Sequence, residues 1–228
     1  MNGGFQYTII RSRRKTVALH ITKDAALEVR APLNRSRADI DRFVASKENW
    51  IRAHLEKASA QSAERAAFTL DYGSEIVLFG DEYPIAAGHD RSVRFDGTCV
   101  YVPPDLDAGQ IKQAVIQLYR AIARDALSER AEYFAGLMGV VPESIKISGA
   151  KTRWGSCSGK NSINFSWRLV MSDEDVVDYV VVHELAHISE HNHSQRFWAI
   201  VEGMLPDYKD KRQKLRRLQE RLAAEDWD

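Results

Sequence analysis

The sequence predicts an α+β fold in two parts. Residues 1–107 form a small, mostly-β region with one helix, and residues 108–228 form a domain of helices around a small sheet. Three observations carry this. Short alternating or β-branched runs, separated by turn residues, fill much of the first hundred positions. Apolar residues at helical spacing dominate from Gln110 onward. The second part also contains His183-Glu184-Leu185-Ala186-His187, an HExxH pentapeptide.

The elements follow in order. Strands are expected at Phe5–Ile10, Thr16–Ile21 and Ala26–Arg30, with Lys23-Asp24 as a turn. Ile40, Phe43, Val44, Trp50, Ile51 and Leu55 mark a helix from Arg37 to about Ala60. The Ala/Ser/Glu-rich stretch Ala58–Ala67 reads as a linker. From Phe68 to Val102, Gly73, Gly80, Gly88 and Gly97 punctuate short strands, expected to continue the first sheet, until Pro103-Pro104 closes the run. Pro103–Gly109 is the expected boundary. A long helix then runs from Gln110 to about Met138 on Ile111, Val115, Leu118, Ile122 and Leu127. Ser144–Ser148 and Asn161–Trp167 read as strands; in the latter Ile163, Phe165 and Trp167 alternate with Ser162, Asn164 and Ser166. Ser194–Met204 and Tyr208–Leu222 are the closing helices.

The pentapeptide carries the chemistry. On a helix, His183 and His187 stand one turn apart and grip a single metal ion from one face, and Glu184 handles the proton of a water held there. Ser172-Asp173-Glu174-Asp175 offers a capping hydroxyl and acids for the helix start. Val177, Val181, Leu185 and Ile188 form its core stripe, with Val176 and Val180 walling the cleft. A run of valines also suits a strand, but the capping residues and the i/i+4 histidines favour a helix. The third ligand must return from beyond the helix end. Asn192 tolerates the left-handed turn, and His193 follows it; Glu202 and His191 are the alternatives. The spacing His183, His187, His193 equals that of metzincins, but Glu190 replaces their glycine, and Met204 reads as ordinary core in a helix. Arg153, His191 and Tyr208 are the candidates for steadying an oxyanion. Glu190, Glu202 and Asp178 are those for orienting the histidines. A long helix, a small sheet and an HExxH helix in that order are expected of a zincin-like domain, in which Lys151–Asn164 would supply an edge strand for an extended peptide. The same stretch also reads as plain structure, with Trp154 and Trp167 plugging the core and Gly155 making a turn.

Composition sets the class. At 44% hydrophobic and 28% charged residues, the 228-residue chain buries an ordinary core. No apolar run approaches the ~20 residues of a membrane span, and the first residues lack a signal-peptide pattern, so a cytoplasmic protein is expected. Cys99 and Cys157 form no CxxC pair, which excludes a zinc ribbon, and Cys157 reads as a small buried thiol. The net charge of zero hides a split: residues 1–65 hold 13 Lys/Arg against 7 Asp/Glu, and the remainder balances them. Arg11, Arg13, Arg14 and Lys15, with Arg30, Arg35 and Arg37, make either a nucleic-acid-facing patch or a solvated basic face.

Several stretches together resemble the YgjP-like metallopeptidase family, predicted metal-dependent hydrolases related to SprT-like proteases. They are Tyr179-Val-Val-Val-His-Glu-Leu-Ala-His187, Asn192-His193-Ser194, Phe197-Trp198 and Lys151-Thr-Arg-Trp-Gly-Ser-Cys157. The N-terminal pattern of basic residues, short strands, Pro32 and a helix near Trp50-Ile51 is similar too. The resemblance implies Zn²⁺ at His183, His187 and His193, with Glu184 as catalytic acid/base on a peptide or protein substrate. It names no particular substrate. The alternative is a metal-binding, non-proteolytic interaction module, associated with nucleic acid through its basic N-terminal part.

Overall fold

A computed structural model describes residues 4–227, which fall into two compact units. One comprises the chain as far as Phe68 together with Ala223–Asp226; the other comprises Thr69–Leu222 with Trp227.

In the first unit, β1 (Tyr7–Ser12) pairs in parallel with β3 (Leu27–Pro32), and β2 (Ala18–Ile21) pairs antiparallel with β3 on its other side. Ser36 caps α1 (Arg37–Ser46) by accepting the Asp39 N–H. The core joins Leu27, Val29 and Ala31 of the central strand to Ile40, Val44 and Ile51. The single helix expected from Arg37 is two. Lys47 leaves helical geometry at φ −114, ψ 17, and α2 (Glu48–Ala67) restarts there. The expected linker Ala58–Ala67 is the second half of α2: its Ala, Gln, Glu and Arg residues are strong helix formers, and no glycine or proline interrupts them.

In the second unit, β4 (Glu75–Leu78), β5 (Asp81–Ala87), β6 (Arg94–Phe95) and β7 (Val100–Val102) form their own sheet in the order β4-β5-β7-β6, rather than extending the first. α3 (Ala108–Met138) starts on a capping box between Asp107 and Gln110 and stops at Gly139, whose φ of 65 is the left-handed geometry that ends helices. Its buried stripe repeats every fourth residue, Ile111, Val115, Tyr119, Ala123, Leu127, Ala131 and Ala135. Leu118 and Ile122, expected inside, are only half-buried because Tyr119 and Ala123 take the inner line. β8 (Ser144–Ser148), β9 (Gly155–Cys157) and β10 (Ser162–Ser166) form a sheet in the order β8-β10-β9, with β8 parallel and β9 antiparallel to β10. Trp167 does not extend β10. It opens a buried 3-10 turn, Trp167–Met171, that leads to α4 (Glu174–Ser189).

Tertiary burial carries α4 despite its valines. Val176, Val177, Tyr179, Val180, Val181, Val182, Leu185 and Ala186 are all buried, as in a helix enclosed on most sides. Ser172 is not its cap: that hydroxyl donates to the Leu169 carbonyl, and Asp173 holds the N-cap position with its carboxylate turned to Lys214. α5 (Gln195–Met204), capped by Ser194, and α6 (Tyr208–Leu222) complete the unit. Among the described residues no helix is long and apolar enough to cross a membrane.

Candidate metal centre

α4 presents His183, Glu184 and His187 from consecutive turns, and the chain ends this helix at Glu190 before folding back. The Asn192 carbonyl accepts the Ser194 N–H, a tight turn that returns His193 to the helix. One ring nitrogen from each of His183, His187 and His193 lies within 4.8 Å of the others. His183 Nε2 and His193 Nε2 stand 3.0 Å apart. His191 and Glu202, the other candidates for the third ligand, lie outside this cluster.

The surroundings set the charge state. Burial, reinforced by the neighbouring His187 and His193, drives His183 down to about 3, so its ring is neutral at ordinary pH. Burial lowers His187 as well. Neutral imidazole is the form that binds a metal, and three such nitrogens this close together can hold one metal ion. The His183 Nδ1 is buried with no hydrogen-bond partner, while His187 Nδ1 lies 3.2 Å from the Glu190 carbonyl. Glu190 thus orients a histidine through its main chain rather than its carboxylate. Asp178, another candidate for that role, is engaged elsewhere, accepting two bonds from Arg130 at 2.7 and 2.8 Å.

Glu184 is 6% exposed, and burial pushes its carboxyl up to about 7, against a smaller opposing pull from Arg153. A carboxylate poised near neutrality suits proton transfer. β9 covers it: a Cβ added at Gly155 would stand 2.5 Å from Glu184 Cγ and 2.6 Å from Oε1, so only glycine fits this close approach. Cys157 on the same strand is half-buried, and its thiol is raised by burial and then by Glu184.

Of the oxyanion candidates, Arg153 is exposed and within electrostatic reach of Glu184. Tyr208 is buried, stacked on Tyr179 and Trp198. Arg212, absent from the residues expected at the site, lies 5.2 Å from the centre of the Trp198 ring and bears electrostatically on His183. Phe197 packs on all three histidines, with ring centres 4.5 to 4.9 Å away, and supplies an apolar wall beside them. Of the basic N-terminal residues, Arg11 is spent on the Pro32, Leu33 and Arg35 carbonyls, and Arg30, Arg35 and Arg37 on neighbouring acids.

A helix offering two imidazoles and a carboxylate, closed by a third imidazole, defines a candidate metal-dependent hydrolase. The chain belongs to the YgjP-like family: the family model, described as "YgjP-like, metallopeptidase domain", matches residues 15–218. It is therefore a metal-dependent peptidase by family. Among solved structures, the zymogen of the metallopeptidase abylysin from Pyrococcus abyssi is similar at 23% identity and a TM-score of 0.37, over 39% of this chain and 90% of that one. The zymogen of jannalysin from Methanocaldococcus jannaschii is similar at 19% identity and a TM-score of 0.37, over 40% and 94%. A comparison with curated proteins gives no match.

Proposed function

We propose that the protein is a zinc-dependent peptidase whose metal ligands are His183, His187 and His193 and whose general base is Glu184. The observation that carries this is the convergence of three imidazole nitrogens beside a buried carboxylate. Bound zinc would lower the pKa of a water towards ~7 and polarise the scissile carbonyl. Glu184 takes the proton of the attacking water and delivers it to the leaving amine nitrogen. Phe197 packs an apolar ring against the histidines, and the Glu190 carbonyl sets the ring of His187. The antiparallel β9, at the edge of its sheet, is suited to holding an extended peptide by main-chain pairing, which selects weakly for sequence.

Every residue named lies within 108–228, which we assign as the zincin-like catalytic domain, and we assign the protein to the cytoplasm. An intact, buried Glu184 favours hydrolysis over a binding-only module. The test combines metal analysis with digestion of a broad peptide library, on protein purified without a polyhistidine tag. Wild type should carry near-stoichiometric zinc and cleave. Glu184→Gln should keep the zinc and lose cleavage, and His193→Ala should lose the zinc. Full zinc in His193→Ala would refute the ligand assignment. Equal cleavage by wild type and Glu184→Gln would refute the mechanism.

A further inference from the structure

The second unit holds a polar cavity that the metal centre does not use. It measures about 420 Å³, within the range of about 300–1,000 Å³ common for small-molecule sites. One wall is the α3 face bearing Arg120, Arg124 and Ser128; the other is Ile145, Lys146, Ile147 and Ser148 of β8, with Trp167 between them. Three cations and two hydroxyls thus meet, and among the described residues no carboxylate lines the space.

Trp167 supplies an independent observation. Its side chain is 1% exposed, and its indole N–H is buried with no acceptor. A buried donor left without a partner is destabilising. The ring cannot turn away to find an acceptor, because Tyr119 stacks on it and the Arg168 guanidinium lies 4.4 Å from its centre. The indole nitrogen and Arg120 Nη2 both lie against the same side of Gly149, 3.7 and 3.5 Å from where a Cβ would stand. The absent Cβ of Gly149 leaves room for an acceptor beside both donors.

We propose that this cavity binds the phosphate group of a nucleotide-sized ester. A single carboxylate needs only one arginine. Three unopposed cations match a phosphate monoester, which carries about −1.5 to −2 charge at neutral pH and three acceptor oxygens. The indole N–H and the Ser128 hydroxyl complete the donors, while the Ser148 hydroxyl donates to the Phe165 carbonyl at 3.4 Å. The cavity is larger than a bare phosphate, so the ester's organic part occupies the remainder. This site is separate from the metal centre and stands whether or not the peptidase reading holds.

The test follows the indole N–H of Trp167 by nitrogen–proton correlation NMR, its signal assigned among the five tryptophans with Trp167→Phe. Millimolar pyrophosphate, then adenosine monophosphate, then a short 5′-phosphorylated single-stranded oligonucleotide are titrated at constant ionic strength. The Trp167 signal should move and saturate. Arg120→Gln/Arg124→Gln should weaken binding by at least about tenfold, with the other indole signals and the metal content unchanged. Tighter binding of the oligonucleotide than of the mononucleotide assigns the phosphate to nucleic acid, and the reverse assigns it to a free nucleotide. A Trp167 signal that stays still, that moves as far with chloride, or that responds equally in the double variant overturns the proposal.

Discussion

At Gly155 the absence of a side chain does structural service for Glu184. The main chain of β9 comes so near that a single methyl would overlap the carboxylate's own Cγ, an atom too close to α4 to swing away cheaply. Overpacking of this kind costs about 1–3 kcal/mol, and here the strain would be relieved by displacing Glu184. Gly155→Ala is therefore expected to cut peptide hydrolysis by at least about tenfold while leaving zinc content near wild type, because the three histidines are untouched. Peptide-library digestion and metal analysis of the one variant read both. Wild-type cleavage by Gly155→Ala would show that Glu184 does not need its present position. The histidine spacing was legible in the sequence because HExxH fixes two ligands locally and His193 is only a turn away. The Gly155 approach and the Arg212 neighbourhood were not, since each depends on a distant strand or helix returning to α4.

Between elements, α3 and α4 are joined by the two-pronged Arg130–Asp178 pair, whose side chains are 37% and 21% exposed. Paired geometry strengthens it, and partial solvent screening limits it to about 1 kcal/mol. A double-mutant cycle with Arg130→Ala and Asp178→Ala, measured by urea unfolding, should return a coupling of about that size; zero coupling would mean the helices are held by apolar contact alone. The turn from β6 to β7 rests on a different device. Asp96 accepts the Thr98 N–H and hydroxyl and the Cys99 N–H, and these hold its carboxyl below the usual value. A lowered folded-state value means the unfolded chain binds the proton more readily, so this stabilisation is full above the unfolded value of about 3.9 and drains as pH falls through the lower folded one. The deficit of Asp96→Ala in chemical unfolding should thus be larger at pH 7 than near pH 3, to use round values on either side of that pKa; a constant deficit would contradict it. Elements with strong period, such as β8 and α6, were readable to the residue. Lys47 was not, because nothing but a local dihedral change divides α1 from α2. Nor was the separate sheet of β4–β7, whose short strands carry no signal of which neighbour they pair with.

At the scale of the whole molecule, the chain spreads its stability over two compact units with separate contents. The first has its own core around Val29 and Ile40; the second contains all three histidines of the proposed centre. A metal bound only by the folded second unit stabilises that unit by mass action, by about 4 kcal/mol when free zinc exceeds its Kd a thousandfold. For a unit of this size that corresponds to a rise in Tm of about 8–16 °C. Half-buried His183, held neutral by desolvation, and His187, shifted the same way, favour this: the imidazole form that ligates a metal is the one their surroundings prefer. Chelation should therefore lower Tm and speed amide hydrogen exchange in α4 and in the turn that carries His193. Exchange in β1, β3 and α1 should be left at its metal-bound rate, and zinc should restore the original pattern. His193→Ala should already exchange at the chelated rate and gain nothing from zinc. Exchange in α4 that is indifferent to chelation would separate these histidines from any metal, whereas equal acceleration in β3 would show that the two units open as one.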